Sequence, residues 1–381
     1  MKVKIDKKDL INRLQIVQNT ISRRSSLPIL SNYLLETELK AKKLWITSTD
    51  LEMSVRSSLN AVIEEEGSIT LPAKKLGEIL HELPMNGSQI DVVFELKENN
   101  RVQVLGSHSR FQIAGIPRDD YPALPDFDEK KAVAFPPKIL MDMIKKTVFA
   151  ASTDETRYVL NGVLFILAKG KINLVATDGR RLAAAGAEGL PAGVEFKAIV
   201  PAKALSEVGR IIAHLQEELP PDEKVFVEIS ENKAGFKFGE TTLFSRLIDG
   251  NFPGWEQVIP RRSSIVARIN REAFAAVTKR ASLCITDRVG TCRYRFTKAA
   301  CQVTSKTLGH YEFEEDIPVL SFQGEEGFEI SFNPHHVIDF LKSVDGDVFE
   351  VSMTTAVNPA LFSTPEAPGY TYVVMPTRVQ N

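Results

Sequence analysis

The sequence predicts an α+β chain of three repeated domains, each with two helices on one face of antiparallel sheets. Three observations predict this: two long phrases that each occur three times, strand-like alternation between them, and positive charge gathered on the repeated helices. Residues 132–152 (AVAFPPKILMDMIKKTVFAAS) and 265–284 (IVARINREAFAAVTKRASLC) echo 3–22 (VKIDKKDLINRLQIVQNTIS). In each, a short β-branched run leads into an amphipathic helical pattern. The second phrase reads ITLPAKKLGEILHELP at 69–84, AIVPAKALSEVGRIIAHL at 198–215 and EISFNPHHVIDFLKSV at 329–344. Pro72 and Pro201 lie 129 residues apart, and Ala202 and Pro334 lie 132 apart. Such a period is that of a whole domain, not of a solenoid unit of roughly 20–50 residues.

The repeated phrases place helices at 6–24, 73–83, 137–149, 202–215, 270–281 and 333–344. Their apolar faces recur at helical spacing, as in Leu10, Leu14, Val17 and Ile21, in Leu140, Ile144 and Val148, and in Phe274, Val277 and Ala281. Alternation or β-branching predicts strand pairs at 43–59, 171–186 and 300–317, the second turning at Asp178-Gly179. Further strands are expected at 90–96, 101–106, 109–116, 225–230, 233–239, 241–248, 348–353 and 370–375. The Pro- and charge-rich stretches RDDYPALPDFDEKK (118–131) and DGNFPGWEQVIPRRSS (249–264) read as linkers. They divide the chain into domains 1–128, 129–261 and 262–381, with about eight strands each.

At 381 residues, 43% hydrophobic and 25% charged, the chain has the composition of an ordinary globular protein too long for one core. Cys284, Cys292 and Cys301 fit neither a disulfide framework nor a metal motif, and the N-terminus lacks a signal-peptide core. No apolar run is long enough to span a membrane. A reduced, cytoplasmic protein is therefore expected.

The net charge of −2 hides a strong segregation. The six helical patterns hold 16 Lys/Arg against 8 Asp/Glu, whereas the remainder holds 31 against 41. If the repeats follow an arc, six basic helices form one continuous basic surface. Head-to-tail pairing of the first repeat with the third repeat of a second copy would remove both open sheet edges and close a homodimeric ring. The alternative is three independent domains with solvated lysines; the bias, shared by all three repeats, favours the ring.

Motifs for catalysis are missing: the sequence holds no GxxxxGK[ST], strand-linked GxGxxG, HExxH or GxSxG. His335-His336 reads as a helix-start or surface pair, and the recurring Thr49-Asp50 and Thr177-Asp178 read as turn chemistry. The chain is thus read as a non-enzyme with no cofactor and no metal. A nucleic-acid-processing enzyme with basic flanks is the alternative function. It would need clustered acids or a zinc site. A sequence-specific DNA regulator is a third reading, which near-uniform affinity across random duplexes would exclude.

The chain resembles the bacterial β sliding clamps, the processivity subunits of DNA polymerase III. The resemblance rests on LPIL (27–30), STDLEMSV (48–55), LPAKK (71–75), RYVLNGVLF (157–165), VATDGRRLA (175–183), LIDGNFPGW (247–255) and YVVMP (372–376), in the family's order along the full length. It implies a ring that encircles double-stranded DNA without reading sequence, and that tethers the polymerase III alpha subunit. The clamp loader and other clamp-binding-motif proteins are further implied partners. The basic helices, with Arg24 beside the first, offer Lys74, Lys75, Lys145, Lys146, Lys203, Arg210, Arg271, Lys279 and Arg280 to phosphates.

The resemblance also implies a hydrophobic cleft for a linear peptide ending in leucine and an aromatic residue. By motif it comprises Leu160, Thr177, Gly179, Arg181, Leu182, Pro253, Val258, Val357, Val373, Val374, Met375, Pro376 and Arg378. The dimer seam is expected at Phe111, Ile79 and Leu83 of the first repeat, against Leu283 of the third. Arg180, Gln257, Thr377 and the tail Val379-Gln380-Asn381 depart from the family's pattern and bear on peptide preference.

Overall fold

The computed structural model describes residues 1–22, 27–84, 91–190, 193–220, 222–285, 290–307 and 309–377. The first repeat opens with β1 (Lys2–Asp6), α1 (Lys7–Val17), β2 (Asn32–Glu38), β3 (Lys43–Thr49), β4 (Met53–Asn60) and β5 (Val62–Glu65). It continues with β6 (Ser68–Pro72), α2 (Ala73–Glu82), β7 (Asp91–Leu96), β8 (Arg101–Gly106) and β9 (Ser109–Ala114). The second begins with β10 (Val133–Phe135), α3 (Pro137–Thr147), β11 (Gly162–Ala168), β12 (Lys171–Thr177) and β13 (Arg181–Glu188). Then come β14 (Phe196–Pro201), α4 (Ala202–Leu215), β15 (Val225–Ile229), β16 (Lys233–Phe238) and β17 (Thr241–Arg246). The third begins with β18 (Ile265–Asn270), α5 (Arg271–Ser282), β19 (Cys292–Phe296), β20 (Ala300–Thr307) and β21 (Tyr311–Gln323). It ends with β22 (Phe328–Phe332), α6 (Pro334–Ser343), β23 (Val348–Met353), β24 (Ala360–Ser363) and β25 (Tyr370–Val374).

Helices α1, α5 and α6 start where a polar cap meets the first turn. The Asp6 carboxylate accepts from the amides of Lys8 (2.8 Å) and Asp9 (3.1 Å), and Asn270 accepts from Ala273 (2.9 Å). Asn333 does the same for His335 at 2.9 Å, with Pro334 at the first helical position. The first helix is shorter than the expected 6–24. At Val17 it gives way to a 3₁₀ turn, and the buried Thr20 hydroxyl donates back to the Val17 carbonyl at 3.0 Å.

Two compact units form, residues 1–137 with 207–247 and residues 138–206 with 248–381. The first holds a five-stranded sheet, β5-β1-β7-β8-β9, and an eight-stranded sheet, β10-β15-β16-β17-β4-β3-β2-β6. The larger sheet therefore runs without a break from the second repeat into the first, with Leu243 of β17 opposite Val55 of β4. The stretch read as a linker is strapped to this sheet. Lys233 donates to the Asp126 carbonyl (2.7 Å), and the buried Glu228 carboxylate accepts from the Asp128 amide (3.0 Å).

The second unit is built on one twelve-stranded sheet, β14-β11-β12-β13-β25-β24-β23-β18-β21-β20-β19-β22. Here too strands of two repeats join, Leu182 of β13 lying opposite Val373 of β25. Behind the sheet, Phe340 of α6 stacks on Tyr372 (centroids 5.3 Å apart) and meets Phe349, Phe362 and Tyr370. Cys292 and Cys301 are buried free thiols in this unit, and burial pushes the Cys292 thiol up to about 12. Among the described residues no helix is long and apolar enough to cross a membrane, and no cluster of three or more His, Cys, Asp or Glu could hold a metal ion.

Candidate functional site

The turn from Thr177 to Arg181 joins β12 to β13 and is held by its own side chains. The Thr177 hydroxyl donates to the Arg181 carbonyl (2.6 Å) and accepts from the Gly179 amide (3.1 Å). The Asp178 carboxylate accepts from the amides of Arg180 (2.8 Å) and Arg181 (3.0 Å). Gly179 sits at φ +84°, a region that L-residues rarely adopt. The first repeat builds the same turn. Thr49 donates to the Met53 carbonyl (3.0 Å), Asp50 accepts from the amides of Glu52 (3.1 Å) and Met53 (2.7 Å), and Leu51 carries the positive φ of 76°. There the turn lines a cleft of about 480 Å³, together with Pro122, Leu124 and Phe244.

The C-terminal strand β25 lies beside this turn. Arg181 pairs with Val374 in the ladder, and the Met375 amide donates to the Arg180 carbonyl at 2.8 Å. Farther along, the Thr377 amide donates to the Ser331 carbonyl at 2.8 Å, which anchors the tail. Leu182 and Val373 are buried together with Leu164, Val175, Ala184 and Ile199. Partly buried Phe252, Trp255, Ile259 and Leu361 pack against that group.

Of the other residues expected in a cleft, Val258 and Met375 are exposed, and so is Val357 in the turn between β23 and β24. Pro253 is exposed, Leu160 and Pro376 are half-buried, and Thr177 and Val374 are buried. Arg378 lies outside the described residues.

Arg181 stands apart from the apolar members. Its side chain is only 11% exposed, and the guanidinium faces internal partners. It donates to Asp178 (3.0 Å), Asp339 (2.6 Å) and the Phe149 carbonyl (2.6 Å), and stands over the Phe149 ring at 5.3 Å. His336 belongs to the same group, with Nε2 4.0 Å from the Asp178 carboxylate and Nδ1 buried. Burial, and then the Arg181 charge, pushes its imidazole down to about 4. Asp339 and His336 were missed as site residues because only the folded chain brings α6 to the turn; no local motif marks them.

The helix cations divide into two groups. Lys74, Lys75, Lys145, Lys203, Lys279 and Arg280 are exposed. Lys75 pairs with Glu78 (2.6 Å), Lys145 with Asp345 (3.3 Å) and Arg280 with Glu315 (2.8 Å). Lys146, Arg210 and Arg271 are fastened inside the chain instead. Lys146 pairs with Asp142 (2.6 Å), Arg210 grips Glu207 and the Ile16 carbonyl (2.5 Å), and Arg271 donates to the carbonyls of Gly346 (2.5 Å) and Leu341 (3.1 Å). Arg24 lies outside the described residues.

At the expected seam, Ile79 and Leu83 are buried within their own chain, and Leu83 packs under Gly106 of β8. Phe111 is half-buried on β9, whereas Leu283 is 77% exposed. Among the described residues β9 pairs with β8 alone, and residues 311–318 of β21 pair with β20 alone.

Residues 1–125 match the family described as DNA polymerase III beta subunit, N-terminal domain; residues 134–254 match its central domain and 256–378 its C-terminal domain. The chain belongs to the DNA polymerase III beta subunit family. A beta sliding clamp of Caulobacter vibrioides (strain NA1000 / CB15N) is 33% identical over 389 residues, with all of both chains covered. The crystal structure of the Bacillus subtilis sliding clamp superposes with a TM-score of 0.91 at 30% identity, covering all of both chains. A Pseudomonas aeruginosa clamp bound to griselimycin gives 0.90 at 28%, again over the full length of both. The function is accordingly that of a DNA sliding clamp, a processivity subunit of the polymerase rather than a catalytic one. The family binds DNA and polymerase, and its dimers close as rings.

Proposed function

We propose that this clamp closes head to tail with a second copy and meets its partner proteins at the apolar floor under Leu182 and Val373. The single observation that carries the peptide cleft is the hydrogen-bonded turn 177–181 lying beside the C-terminal strand over that floor. Val258, Val357 and Met375 supply exposed apolar contact, and a flexible methionine suits a groove that accepts several sequences. The remaining motif residues, Leu160, Pro253, Pro376 and Arg378, complete the proposed cleft. Through it the clamp would hold the polymerase III alpha subunit, the clamp loader and other clamp-binding-motif proteins.

The seam takes its support from two sheet edges. Inside the chain, β17 pairs with β4 and β25 pairs with β13, each time joining one repeat's last strand to the preceding repeat. The last strand of the first repeat, β9, and residues 311–318 of β21 are the corresponding edges that another copy could fill. Phe111 and Leu283 then lie on the proposed seam, with Ile79 and Leu83 supporting it from below. The three-domain division at 128/129 and 261/262 belongs to the same proposal, as does a cytoplasmic location.

For DNA, the exposed Lys74, Lys75, Lys145, Lys203, Lys279 and Arg280 are proposed to meet phosphates, together with Arg24. Lys146, Arg210 and Arg271 would contribute to the field of the surface while holding their helices in place. Retention would come from topology, not affinity. Clamps loaded onto nicked circular DNA should stay bound and run off when the circle is linearised; equal loss from circles and linear fragments would exclude the proposal.

A further inference from the structure

The proposed peptide cleft has a charged support beside its apolar floor, at the residue next to Leu182. Arg181 opens β13, its ladder partner is Val374, and its guanidinium ties three elements together. These are the turn 177–181 through Asp178, the 3₁₀ turn Val148–Ala150 through the Phe149 carbonyl, and α6 through Asp339. Asp339 lies 158 residues away in sequence and gives one of the two shortest of these contacts, 2.6 Å. Helix α6 also backs β25, since the Tyr372 hydroxyl donates to the His336 carbonyl at 2.9 Å and Phe340 stacks on the Tyr372 ring. One helix therefore holds both the turn and the strand.

We infer that Asp339 is a positioning residue for peptide binding, acting through Arg181 to set the turn 177–181 against strand β25. This rests on the reading of that groove as the peptide cleft. The physical reason is the burial of the cation. A guanidinium that is nearly out of water needs its carboxylates, and losing one leaves an unpaired donor whose desolvation is not offset. The side chain then has to swing toward water, and its backbone belongs to the turn whose carbonyl at Arg180 receives the Met375 amide. Movement there shifts Gly179 and Met375 together. Asp142 and Asp345 show the contrast: they pair with Lys146 and Lys145 of α3 rather than with Arg181.

The test uses the full-length clamp and a fluorescein-labelled synthetic peptide ending in Leu-Phe, with affinity read by anisotropy at 25 °C and melting temperature read separately. Asp339→Ala is expected to weaken binding about tenfold in protein that is still fully folded at that temperature. Asp339→Glu restores most of the affinity, and Asp339→Asn, the gentler change, gives an intermediate loss. In a double-mutant cycle, adding Asp339→Ala to Arg181→Met costs little beyond Arg181→Met alone. A residue important only for stability would lower the melting temperature and leave the affinity of the folded protein unchanged. Met375→Asp separates the positioning role of Asp339 from the cleft itself. Loss of binding in Met375→Asp but wild-type affinity in both Asp339→Ala and Asp339→Asn overturns the positioning role. Wild-type affinity in Met375→Asp overturns the cleft itself.

Discussion

Gly179 faces Arg157 so closely that a Cβ on the glycine would lie 3.2 Å from the arginine Nη1. That guanidinium already donates to the Asp178 carbonyl at 3.3 Å, so the residue before the glycine and the space above it are both fixed by Arg157. With φ at +84°, Gly179→Ala incurs backbone strain of about 1 kcal/mol and crowds the arginine as well. The variant is expected to melt a few degrees lower and to bind a Leu-Phe peptide less tightly. Unchanged melting and unchanged affinity would remove the turn from the account of the site.

Leu51 offers the mirror experiment. It adopts the same positive φ in the equivalent turn of the first repeat, but as a branched, half-exposed leucine. Leu51→Asn places a residue that tolerates this conformation and is expected to stabilise the fold by up to about 1 kcal/mol. Urea denaturation checks it; a lower midpoint would mean that the leucine is held by contacts stronger than its strain.

His336 makes part of the stability depend on pH. Its folded value, about 4, lies below the usual 6.5, because burial and then Arg181 oppose the charge, while Asp178 and Asp339 act against that shift and Arg180 adds to it. Between those values the unfolded chain binds a proton that the fold does not. The contribution is therefore complete above about pH 6.5 and declines as pH falls toward 4. His336→Gln should narrow the difference in urea midpoint between pH 7 and pH 5. An unaltered difference would show that the carboxylates account for all of it.

The seam is open to a solution-mass measurement. Leu283→Asp puts a charge on an exposed apolar side chain, so it should leave the monomer's stability almost untouched. The expected result is a shift from dimer to monomer at micromolar concentration, with retention on circular DNA lost in parallel. A fully dimeric Leu283→Asp would place the seam elsewhere.

For the helices, the quadruple change of Lys74, Lys75, Lys145 and Lys279 to Ala should flatten the salt dependence of DNA association by about one unit of slope for each phosphate contact removed. Retention of loaded rings on circular DNA should survive it. An undiminished slope would send the DNA to another face.

Much of this fold was legible because it is written in local periodicity. Residues 202–215 form a helix with those limits, and 101–106 and 348–353 are strands as expected. Strands at Asn32–Glu38 and Gly162–Ala168 were harder to see, since their apolar runs do not alternate and a buried strand then reads like a buried helix segment. The continuity of the sheets across repeats was not legible at all. A pairing such as Leu243 with Val55 depends on two distant edges meeting, and nothing near either residue marks it. At the site, the glycine, the Thr-Asp turn and the tail strand stand out in sequence. The contact between Arg181 and Asp339 does not, because a lone Asp on a helix looks like any solvated one.

The pairing of β17 with β4 and of β25 with β13 has a consequence for assembly in cells. Backbone hydrogen bonds are the same in every strand, so an edge of the kind found at β9 carries no label of its own. A chain that already uses this junction twice internally would accept a related clamp, or a misplaced end of its own nascent copy, as readily as the right one. On the proposed seam, only the side chains bordering the edge, with Phe111 and Leu283 proposed among them, can tell kin from stranger. Those positions, rather than the ladder, are where two clamps sharing one cell would have to diverge to avoid hybrid rings.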